Sequence, residues 1–195
     1  MLRLPVKING VNNLSDARYC AGMGVDMIGF SVSENHSRHL APEKINGITG
    51  WLSGIQIVAE GYFGEKTNLL ATRSELIHAD ILEVDAIMYK NIPFSSPVIY
   101  RLNLNEWETL HPILPQDAVL HLLLERHEVA NMAFIKEICA SRKSFLNGSL
   151  LELPQIEHLI LETKPYGITL DGGNELSPGV HDFEHLAEVL EYLEV

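Results

Sequence analysis

The sequence predicts an α/β fold, a compact (β/α)8 TIM barrel, with an open doubly wound sheet as the alternative. Eight short apolar runs are spread along the 195 residues, and amphipathic segments separate most of them. Most of these runs are continuously hydrophobic, which is typical of parallel strands covered on both faces. Typical barrels have about 250 residues. We therefore expect short loops, with one or two helices missing or reduced to a turn.

The elements follow one another without a linker, so we expect one domain spanning residues 1–195. The predicted strands are Val6–Asn9, Met27–Ser31, Gly54–Glu60, Asp80–Val84, Pro97–Leu102, Ala118–Leu124, Ser144–Leu146 and Gly167–Leu170. The predicted helices are Leu14–Met23, Pro42–Thr49, Glu65–His78, His127–Ser141, Leu153–Leu161 and Asp182–Leu193, with weaker segments at Asp85–Asn91 and Asn105–Leu110. The stretch Pro93–Pro97 is expected to be a loop rather than a domain boundary.

The amino-acid composition limits which partners and which cellular compartment we expect. The chain has 26 acidic and 14 basic residues, a formal net charge of −12, which argues against nucleic acid as a partner. No apolar run reaches the roughly 18 residues of a membrane span, and the start MLRLPVKING lacks the apolar core of a signal peptide. The cysteines Cys20 and Cys139 are too few for a disulfide framework. We expect a cytoplasmic protein with reduced thiols.

Two glycine-containing turns are candidates for binding a phosphate group. Asn147-Gly148-Ser149 follows the seventh predicted strand, and Asp171-Gly172-Gly173 follows the eighth. In barrels, the loops after these two strands commonly bind phosphate, and glycines let backbone N–H groups approach an anion closely near the start of a short helix. The alternative is that both are simply tight turns. Asp171 could instead cap the short helix expected to follow it.

The nine histidines raise the question of a metal site, and we expect none. His36 and His39 lie in one predicted loop, and the spacing of His181 and His185 can place two ligands on one helix face. Asp182, however, is expected to be the N-cap of the last helix, which leaves His181 outside it. The sequence contains no zinc, Walker or nucleophile-elbow motif.

Both ends of the chain resemble one known family. Residues 6–30, VKINGVNNLSDARYCAGMGVDMIGF, are similar to the opening of phosphoribosylanthranilate isomerases. That family typically reads K-x-C-G, then D-A, G-A-D and I-G-F. The loop HSRHLAPE at 36–43 is similar to the S-P-R-x-[IV]-[ST]-P-E of that family. The stretch NELSPGVHDFEHL at 174–186 is similar to its G-V-E-x-[ST]-P-G-x-K-D ending. Between these ends, the chain fits only as a spacing of strands.

The resemblance implies a (β/α)8 barrel and an intramolecular aldose–ketose isomerase of tryptophan biosynthesis. It implies an Amadori rearrangement of a phosphoribosylated aromatic amine, without cofactor or metal. In the family, a general acid opens the ribose ring and a general base removes the proton from the second sugar carbon. The base is the cysteine of K-x-C-G, and the acid is an aspartate that ends the sixth strand.

The chain departs from the family at both catalytic positions. Asn9 stands at the cysteine position, and an amide can donate or accept a hydrogen bond but cannot take the proton. The sixth predicted strand offers only His121 and Glu125 as titratable groups. We expect His121 to be hydrogen-bonded in the barrel wall, and Glu125 is the candidate acid, the alternative being an exposed glutamate that opens the next helix. Thr169 stands where the family has a substrate-facing aspartate.

Two further residues complete the candidate site. Lys7 shares a strand face with Asn9 and is expected either to face the substrate or to pair with a barrel carboxylate such as Glu83. Arg38 could clamp a phosphate or carboxylate bidentately, or it could be an exposed loop arginine. The candidate catalytic residues are Asn9 and Glu125, and the candidate substrate-binding residues are Lys7, Arg38, Glu83, Asn147, Gly148, Asp171, Gly172 and Gly173.

Three functions fit this mixture of matches and departures. The chain could be an isomerase with replaced chemistry that uses Glu125 with Asp171 or Glu83, a paralogue acting on a related phosphosugar, or a catalytically silent barrel that binds a ligand or a protein. We expect a small phosphorylated sugar or its analogue as ligand, and neither nucleic acid nor a membrane. The aromatic residues Tyr62, Phe63 and Trp107 are candidates for a homodimer patch, although ordinary partial burial is the simpler interpretation.

Overall fold

The computed structural model describes residues 1–62, 64–91, 97–172, 174–177 and 180–195. Phe63, Gly173 and most of the predicted loop Pro93–Pro97 lie outside the described residues.

Eight parallel strands close into a barrel in chain order, so the predicted fold class is confirmed. They are β1 Val6–Asn9, β2 Met27–Ser31, β3 Gln56–Glu60, β4 Ile81–Asp85, β5 Val98–Asn103, β6 Val119–Leu123, β7 Ser144–Asn147 and β8 Gly167–Asp171. Strand β8 pairs with β1, and Val6 lies opposite Ile168 while Asn9 lies opposite Asp171. This pairing brings the two ends of the chain together, and every predicted strand overlaps its observed counterpart.

The helical layer is complete around most of the barrel and thin beside β4, β5 and β6. The helices are α1 Leu14–Gly22, α2 Pro42–Thr49, α3 Thr67–Leu76, α4 Trp107–Leu110, α5 Met132–Ser141, α6 Leu153–Thr163 and α7 Glu184–Leu193, with 3-10 turns at Ala86–Asn91, Leu104–Glu106 and Glu128–Ala130. Among the described residues, only a 3-10 turn lies between β4 and β5, and α4 has four residues. The expected reduction of one or two helices is therefore confirmed.

Local sequence explains where several helices begin. The Asn13 side chain accepts a hydrogen bond from the Asp16 backbone N–H at 2.9 Å and so caps α1,. Helix α2 starts at Pro42, whose missing N–H costs nothing in a first helical turn,. Helix α6 has a capping box in which Glu152 and Gln155 each accept from the other's backbone N–H,.

The inside of the barrel is apolar at its base and polar above it. The base is filled by one cluster of inward side chains, Met27, Val58, Ile81, Ile99 and Phe145. These residues lie toward the amino ends of their strands. The next inward positions carry buried polar and charged side chains, which is where the candidate site begins. A separate apolar cluster fills the space between the strands and the helices.

The segment after β8 is a hairpin, so the prediction of a short helix there is wrong. Strand β9, Asn174–Ser177, pairs antiparallel with β10, Val180–Asp182. Asp182 is therefore not the N-cap of α7, because Phe183 occupies that position and its ring stacks on Tyr19 at 4.6 Å. His181 lies in β10 and His185 in α7, so the two do not share a helix face.

In the part of the chain that the structure describes, no helix combines the length and the apolar character needed to cross a bilayer.

Candidate functional site

The ends of β1 and β8 meet at the mouth of the barrel, where the carboxyl ends of all eight strands gather. Asn9 and Asp171 are the last residues of these two strands and lie opposite each other. The Asn9 side-chain Nδ2 donates to Asp171 Oδ1 at 3.1 Å, and Asp171 is exposed. Active sites of (β/α)8 barrels lie at this face. The predicted meeting of residue 9 with the turn after the eighth strand is thus present.

Lys7 lies one layer below Asn9 and is fully buried. Its Nζ is 2.6 Å from Glu60 Oε1, 3.0 Å from Glu83 Oε2 and 2.6 Å from Asn9 Oδ1. Burial opposes the charge on Lys7, but the two carboxylates outweigh burial, so the pKa of Lys7 is raised,. Of the two expectations for Lys7, the structure has the ion pair with Glu83.

The Lys7 contact fixes the orientation of the Asn9 amide. An ammonium group can only donate hydrogen bonds, so the Asn9 oxygen faces Lys7 and the Asn9 nitrogen faces Asp171. The amide therefore presents a donor, and not an acceptor, to the carboxylate at the mouth.

Glu60, at the end of β3, is the second buried partner of Lys7, and it was missing from the predicted site. Its Oε2 accepts from the Gly10 backbone N–H at 3.0 Å. Gly10 has a φ of +58°, a left-handed conformation that suits glycine,. A side chain at Gly29 on β2 would overlap the Glu60 carboxylate, so glycine provides the space in which Glu60 is buried.

Glu83 at β4 connects this group to the far side of the barrel. Its Oε1 lies 3.1 Å from His121 Nδ1 and 3.4 Å from Arg101 Nη1. Burial disfavours the ionised carboxylate, but Lys7, His121 and Arg101 more than offset it, so the pKa of Glu83 is well below its usual range,. Arg101 also donates to Asp85 Oδ1 from Nε at 2.9 Å and from Nη2 at 2.7 Å.

His121 is hydrogen-bonded on both nitrogens inside the barrel, as predicted. Its Nε2 lies 2.8 Å from Thr169 Oγ1, so a hydroxyl, an imidazole and the Glu83 carboxylate follow one another as they do in nucleophilic triads,. Thr169 has no exposed surface. A substrate cannot reach its hydroxyl, so these three residues form part of the scaffold.

The loops after β2 and β3 meet above these buried charges. The His36 ring stacks on Tyr62 at 4.0 Å with an interplanar angle of 5°, and the Arg101 guanidinium lies 3.9 Å from the Tyr62 ring centroid. Burial lowers the pKa of His36 and raises that of Tyr62. Arg38 Nη1 donates to the carbonyl oxygens of Gly10 and Gly172, both at 3.3 Å. Arg38 thus lies beside the ends of β1 and β8.

The amides of the two predicted phosphate turns are partly used by the protein itself. The Gly148 N–H donates to the Thr169 carbonyl at 2.9 Å, and the Gly172 N–H donates to the Asn9 carbonyl at 2.9 Å. Asn147 Oδ1 accepts from the Ser149 N–H at 2.8 Å. The buried Ser149 hydroxyl has no hydrogen-bond partner among the described residues. Gly173, the remaining predicted residue, lies outside them.

Glu125 is not brought into contact with the Asn9 and Asp171 pair. Its carboxylate is exposed and lies 3.3 Å from His127 Nδ1. The inward position at the end of β6 is held by Leu123, two residues after His121. Leu123 lines a cavity of about 340 Å³ together with the side chains of Asp85 and Arg101.

The thiols are not placed for chemistry. Cys20 and Cys139 are both free, and burial raises the pKa of Cys20 to about 12 and that of Cys139 to about 11. Such thiols remain protonated near neutral pH and are poor nucleophiles. The described residues hold no group of three or more His, Cys, Asp or Glu side chains suited to a metal ion.

The aromatic residues proposed for a dimer patch have other contacts. Trp107 is buried and stacks on His111 at 4.8 Å. Tyr62 is half-buried between His36 and Arg101. For these two residues, the simpler interpretation of ordinary burial holds.

The structure therefore joins five of the predicted residues, Lys7, Asn9, Glu83, Asp171 and Gly172, by direct contacts or one shared neighbour, and Arg38 adjoins them. Sequence reasoning missed Glu60 and Arg101. A signal for both was available, because each is a lone charged residue at or near the end of an apolar strand, QIVAE or VIYRLN.

Fold and site together define a (β/α)8 barrel protein with a polar, charge-lined mouth at the carboxyl ends of its strands,. No family model matches the chain. The curated N-(5'-phosphoribosyl)anthranilate isomerase of Geobacter sulfurreducens is 28% identical over 203 aligned residues, which cover 95% of this chain and 96% of the relative. The isomerase of Aquifex aeolicus is 28% identical over 200, covering 95% and 96%. The chain thus has phosphoribosylanthranilate isomerases as sequence relatives along nearly its whole length.

Solved structures with this fold include the same enzymes. Monomers derived from the dimeric phosphoribosylanthranilate isomerase of Thermotoga maritima superpose with a TM-score of 0.77 at 18% identity, covering 96% of this chain and 97% of that one. A phosphoribosylanthranilate isomerase in complex with reduced 1-(o-carboxyphenylamino)-1-deoxyribulose 5-phosphate superposes with a TM-score of 0.76, also at 18% identity, with coverage of 96% and 97%. At this identity the structural similarity establishes the shared fold.

Proposed function

We propose that the chain catalyses the isomerisation of a phosphoribosylated aromatic amine in tryptophan biosynthesis, the reaction of its relatives. The observation that carries the proposal is the Asn9–Asp171 pair, which joins adjacent strand ends at 3.1 Å and lies open to solvent at the barrel mouth. Similarity to isomerases over nearly the whole chain supports it. The proposed unit is one domain, residues 1–195, working in the cytoplasm without a cofactor or metal.

The proposed substrate lies across the ends of β7, β8, β1 and β2. Arg38 supplies a half-buried guanidinium beside Gly10 and Gly172, which suits a phosphate or carboxylate. We assign the phosphate group to the region of Asn147, Gly148, Gly172 and Gly173, where the Ser149 hydroxyl is buried without a partner among the described residues. A related enzyme holds a phosphorylated ribulose derivative.

Lys7 and Glu83 support the site from below in this proposal. Both are buried, so their contribution is to hold Asn9 in one orientation and to keep the mouth rigid. Direct contact with the substrate is assigned to Asn9, Asp171 and Arg38.

Glu125 remains the proposed general acid that opens the sugar ring. It follows β6 at the rim, and its carboxylate is paired with His127 in this conformation. Since losing a positioned acid or base typically costs about 10²–10⁴ in rate, Glu125→Gln should lower kcat by that factor. An unchanged kcat would remove Glu125 from the mechanism.

The decisive experiment is turnover of N-(5'-phosphoribosyl)anthranilate by the purified protein. We expect conversion to the ribulose isomer, and growth without tryptophan when the gene replaces an isomerase in a deficient host. Glu162→Gln is a matched control, because it removes an exposed carboxylate from the last turn of α6. No conversion at high enzyme concentration, together with failure to support growth, would overturn the proposal.

The second candidate is a barrel that binds a phosphosugar without turning it over. The orientation of the Asn9 amide favours it, because Asn9 stands at the family's base position and cannot take a proton. Such a protein would gain thermal stability from a reduced ribulose 5-phosphate analogue, by about 2.7 kcal/mol at a concentration of 100 Kd. Binding without turnover would select this candidate. A homodimer stays a proposal, and size-exclusion chromatography with light scattering tests it.

A further inference from the structure

We infer that Asp171 is the general base of this reaction and that Asn9 positions it. The inference rests on the proposed function and deepens it, because it assigns to a different residue the proton transfer that Asn9 cannot perform.

Hydrogen bonds from the barrel interior hold the Asp171 carboxylate in place. Three side chains run from the barrel interior to the mouth as one chain of hydrogen bonds. Lys7 Nζ donates to Asn9 Oδ1 at 2.6 Å, and Asn9 Nδ2 donates to Asp171 Oδ1 at 3.1 Å. Lys7 is itself held by Glu60 and Glu83. The amide therefore cannot turn without breaking a charge-assisted contact in a buried site, and the carboxylate is held by a rigid donor.

Asp171 differs from the other carboxylates at the barrel mouth, which form ion pairs. Glu60 and Glu83 have at most 1% exposed surface and pair with Lys7. Asp85 pairs with Arg101 at 2.7 Å. Asp171 is exposed and takes part in none of the ion pairs found among the described residues, and its charge acts at longer range on the His36 ring. Its described partner is a neutral amide, which orients a carboxylate without neutralising its charge.

The position of Asp171 in the barrel also suits the role of base. Asn9 and Asp171 are register partners on β1 and β8. A carboxylate at the end of β8 therefore reaches the same volume as a side chain at the end of β1. In this chain, the neutral amide and the carboxylate together occupy the place where the resemblance puts a single basic residue.

The proposed step balances without any further reactant. Once the sugar ring has opened to the iminium form, the Asp171 carboxylate takes the proton from sugar C2. The C2–H electron pair becomes the C1=C2 bond, and the C1=N π pair moves to the nitrogen. The Asp171 carboxylic acid then gives its proton to C1, and the C2 hydroxyl proton returns through water to the Glu125 carboxylate that had protonated the ring oxygen, which gives the aminoketose. The product is an isomer of the substrate, and Asp171 returns to the carboxylate form.

The test compares Asp171→Asn with wild type and with Glu162→Gln. Asparagine keeps an oxygen that can accept from Asn9, and residue 171 is exposed, so the variant should fold with unchanged circular dichroism. We expect kcat to fall about 10²–10⁴-fold with KM changed less than about threefold, whereas Glu162→Gln matches wild type. Substrate deuterated at C2 should react more slowly with wild type, and Asp171→Glu should restore part of the rate.

Asn9→Ala tests the positioning role. The substitution removes the donor that orients the Asp171 carboxylate but keeps the carboxylate itself. The kcat should therefore fall while KM and the unfolding transition change little. A purely structural role for Asn9 would change KM and the unfolding transition together with kcat.

The outcomes separate this inference from the proposed function. Turnover by wild type, with Asp171→Asn within about threefold of it, would keep the proposed function and refute the base assignment. An unchanged kcat in Asn9→Ala, or a KM that changes as much as kcat, would refute the positioning role. Absence of turnover in wild type would refute the proposed function and the base with it.

Discussion

The two sides of the barrel mouth use polar residues in opposite ways. We call the ends of β8 and β1 with the loop after β2 the terminal side, and β3 to β6 the central side. On the terminal side, Asn9, Asp171 and Arg38 are exposed or half-buried and make hydrogen bonds at the ends of β1 and β8. On the central side, Glu83 and Arg101 are buried and ion-paired.

This difference separates scaffold from chemistry. A buried charge that loses its partner is strongly unfavourable, so the central charges are fixed to one another and contribute rigidity. The terminal groups have surface left to meet a ligand. Lys7 belongs to both sides, since it pairs with Glu60 and Glu83 below and holds Asn9 above. Substitutions can therefore show whether residues of the central side determine stability and residues of the terminal side determine activity.

The largest effect on stability is expected from Lys7→Met. The substitution keeps a long apolar stem but leaves Glu60 and Glu83, each nearly fully buried, without their shared cation. Removing one partner of a buried ion pair costs about 3–5 kcal/mol. Urea denaturation should show this loss in the free energy of unfolding.

Lys136→Met is the control for Lys7→Met, because Lys136 is exposed on α5. It should change the free energy of unfolding by less than about 0.5 kcal/mol. Equal stabilities of the two variants would mean that the buried carboxylates become neutral or find other partners, and that the central side is not held by charge.

A smaller loss is expected from Gly29→Ala on β2. The added methyl group would overlap the Glu60 carboxylate, so Glu60 would have to leave either Lys7 or the Gly10 N–H. Overpacking of this kind costs about 1–3 kcal/mol. Gly47→Ala in α2 is the matched control, since nothing lies within 4 Å of its added methyl, and there alanine should stabilise the helix by about 0.5–1 kcal/mol. Thermal unfolding of both variants checks the difference in sign.

Acid should weaken the central side through Glu83. The pKa of Glu83 in the folded protein lies below its ordinary value of 4.5. The unfolded chain therefore binds its proton first, and the stability from Glu83 is present above pH 4.5 and is lost as the pH falls further toward the folded-state pKa. Unfolding free energies from pH 7 to 3 should show a shallower acid slope for Glu83→Gln than for wild type. The same slope in both would contradict the ion-paired description.

The fold could be predicted because its signals are local and repeated. Continuous apolar runs such as MIGFS mark strands covered on both faces, and every predicted strand was found. The hairpin after β8 was missed because its two strands are short and rich in polar residues. The sequence Ser177-Pro178-Gly179 suits a hairpin as well as the start of a helix. The start of α7 was missed because the predicted cap, Asp182, is the last residue of β10 and pairs with Asn174.

The site was predicted less completely because its partners are distant in sequence. Pairing with a barrel carboxylate such as Glu83 was one of the two alternatives for Lys7, and the structure has it. Glu60 was missed although it is the last residue of β3, because no motif drew attention to it. Arg101 was missed because a charge within an apolar strand does not reveal which carboxylate it meets. Register across β3, β4 and β5 decides that, and a single sequence does not contain it,.

The smallest effect on stability is expected from Glu125→Gln, a substitution at the rim of the mouth just after β6. The Glu125–His127 pair has side chains 72% and 77% exposed, and exposed ion pairs contribute about 0–1 kcal/mol. The free energy of unfolding should therefore stay within about 0.5 kcal/mol of wild type in urea denaturation. Because the fold is unaffected, any loss of turnover in this variant measures chemistry at the rim alone. A clear loss of stability would instead show that the β6 loop is part of the scaffold and would move Glu125 to the same role as the central charges.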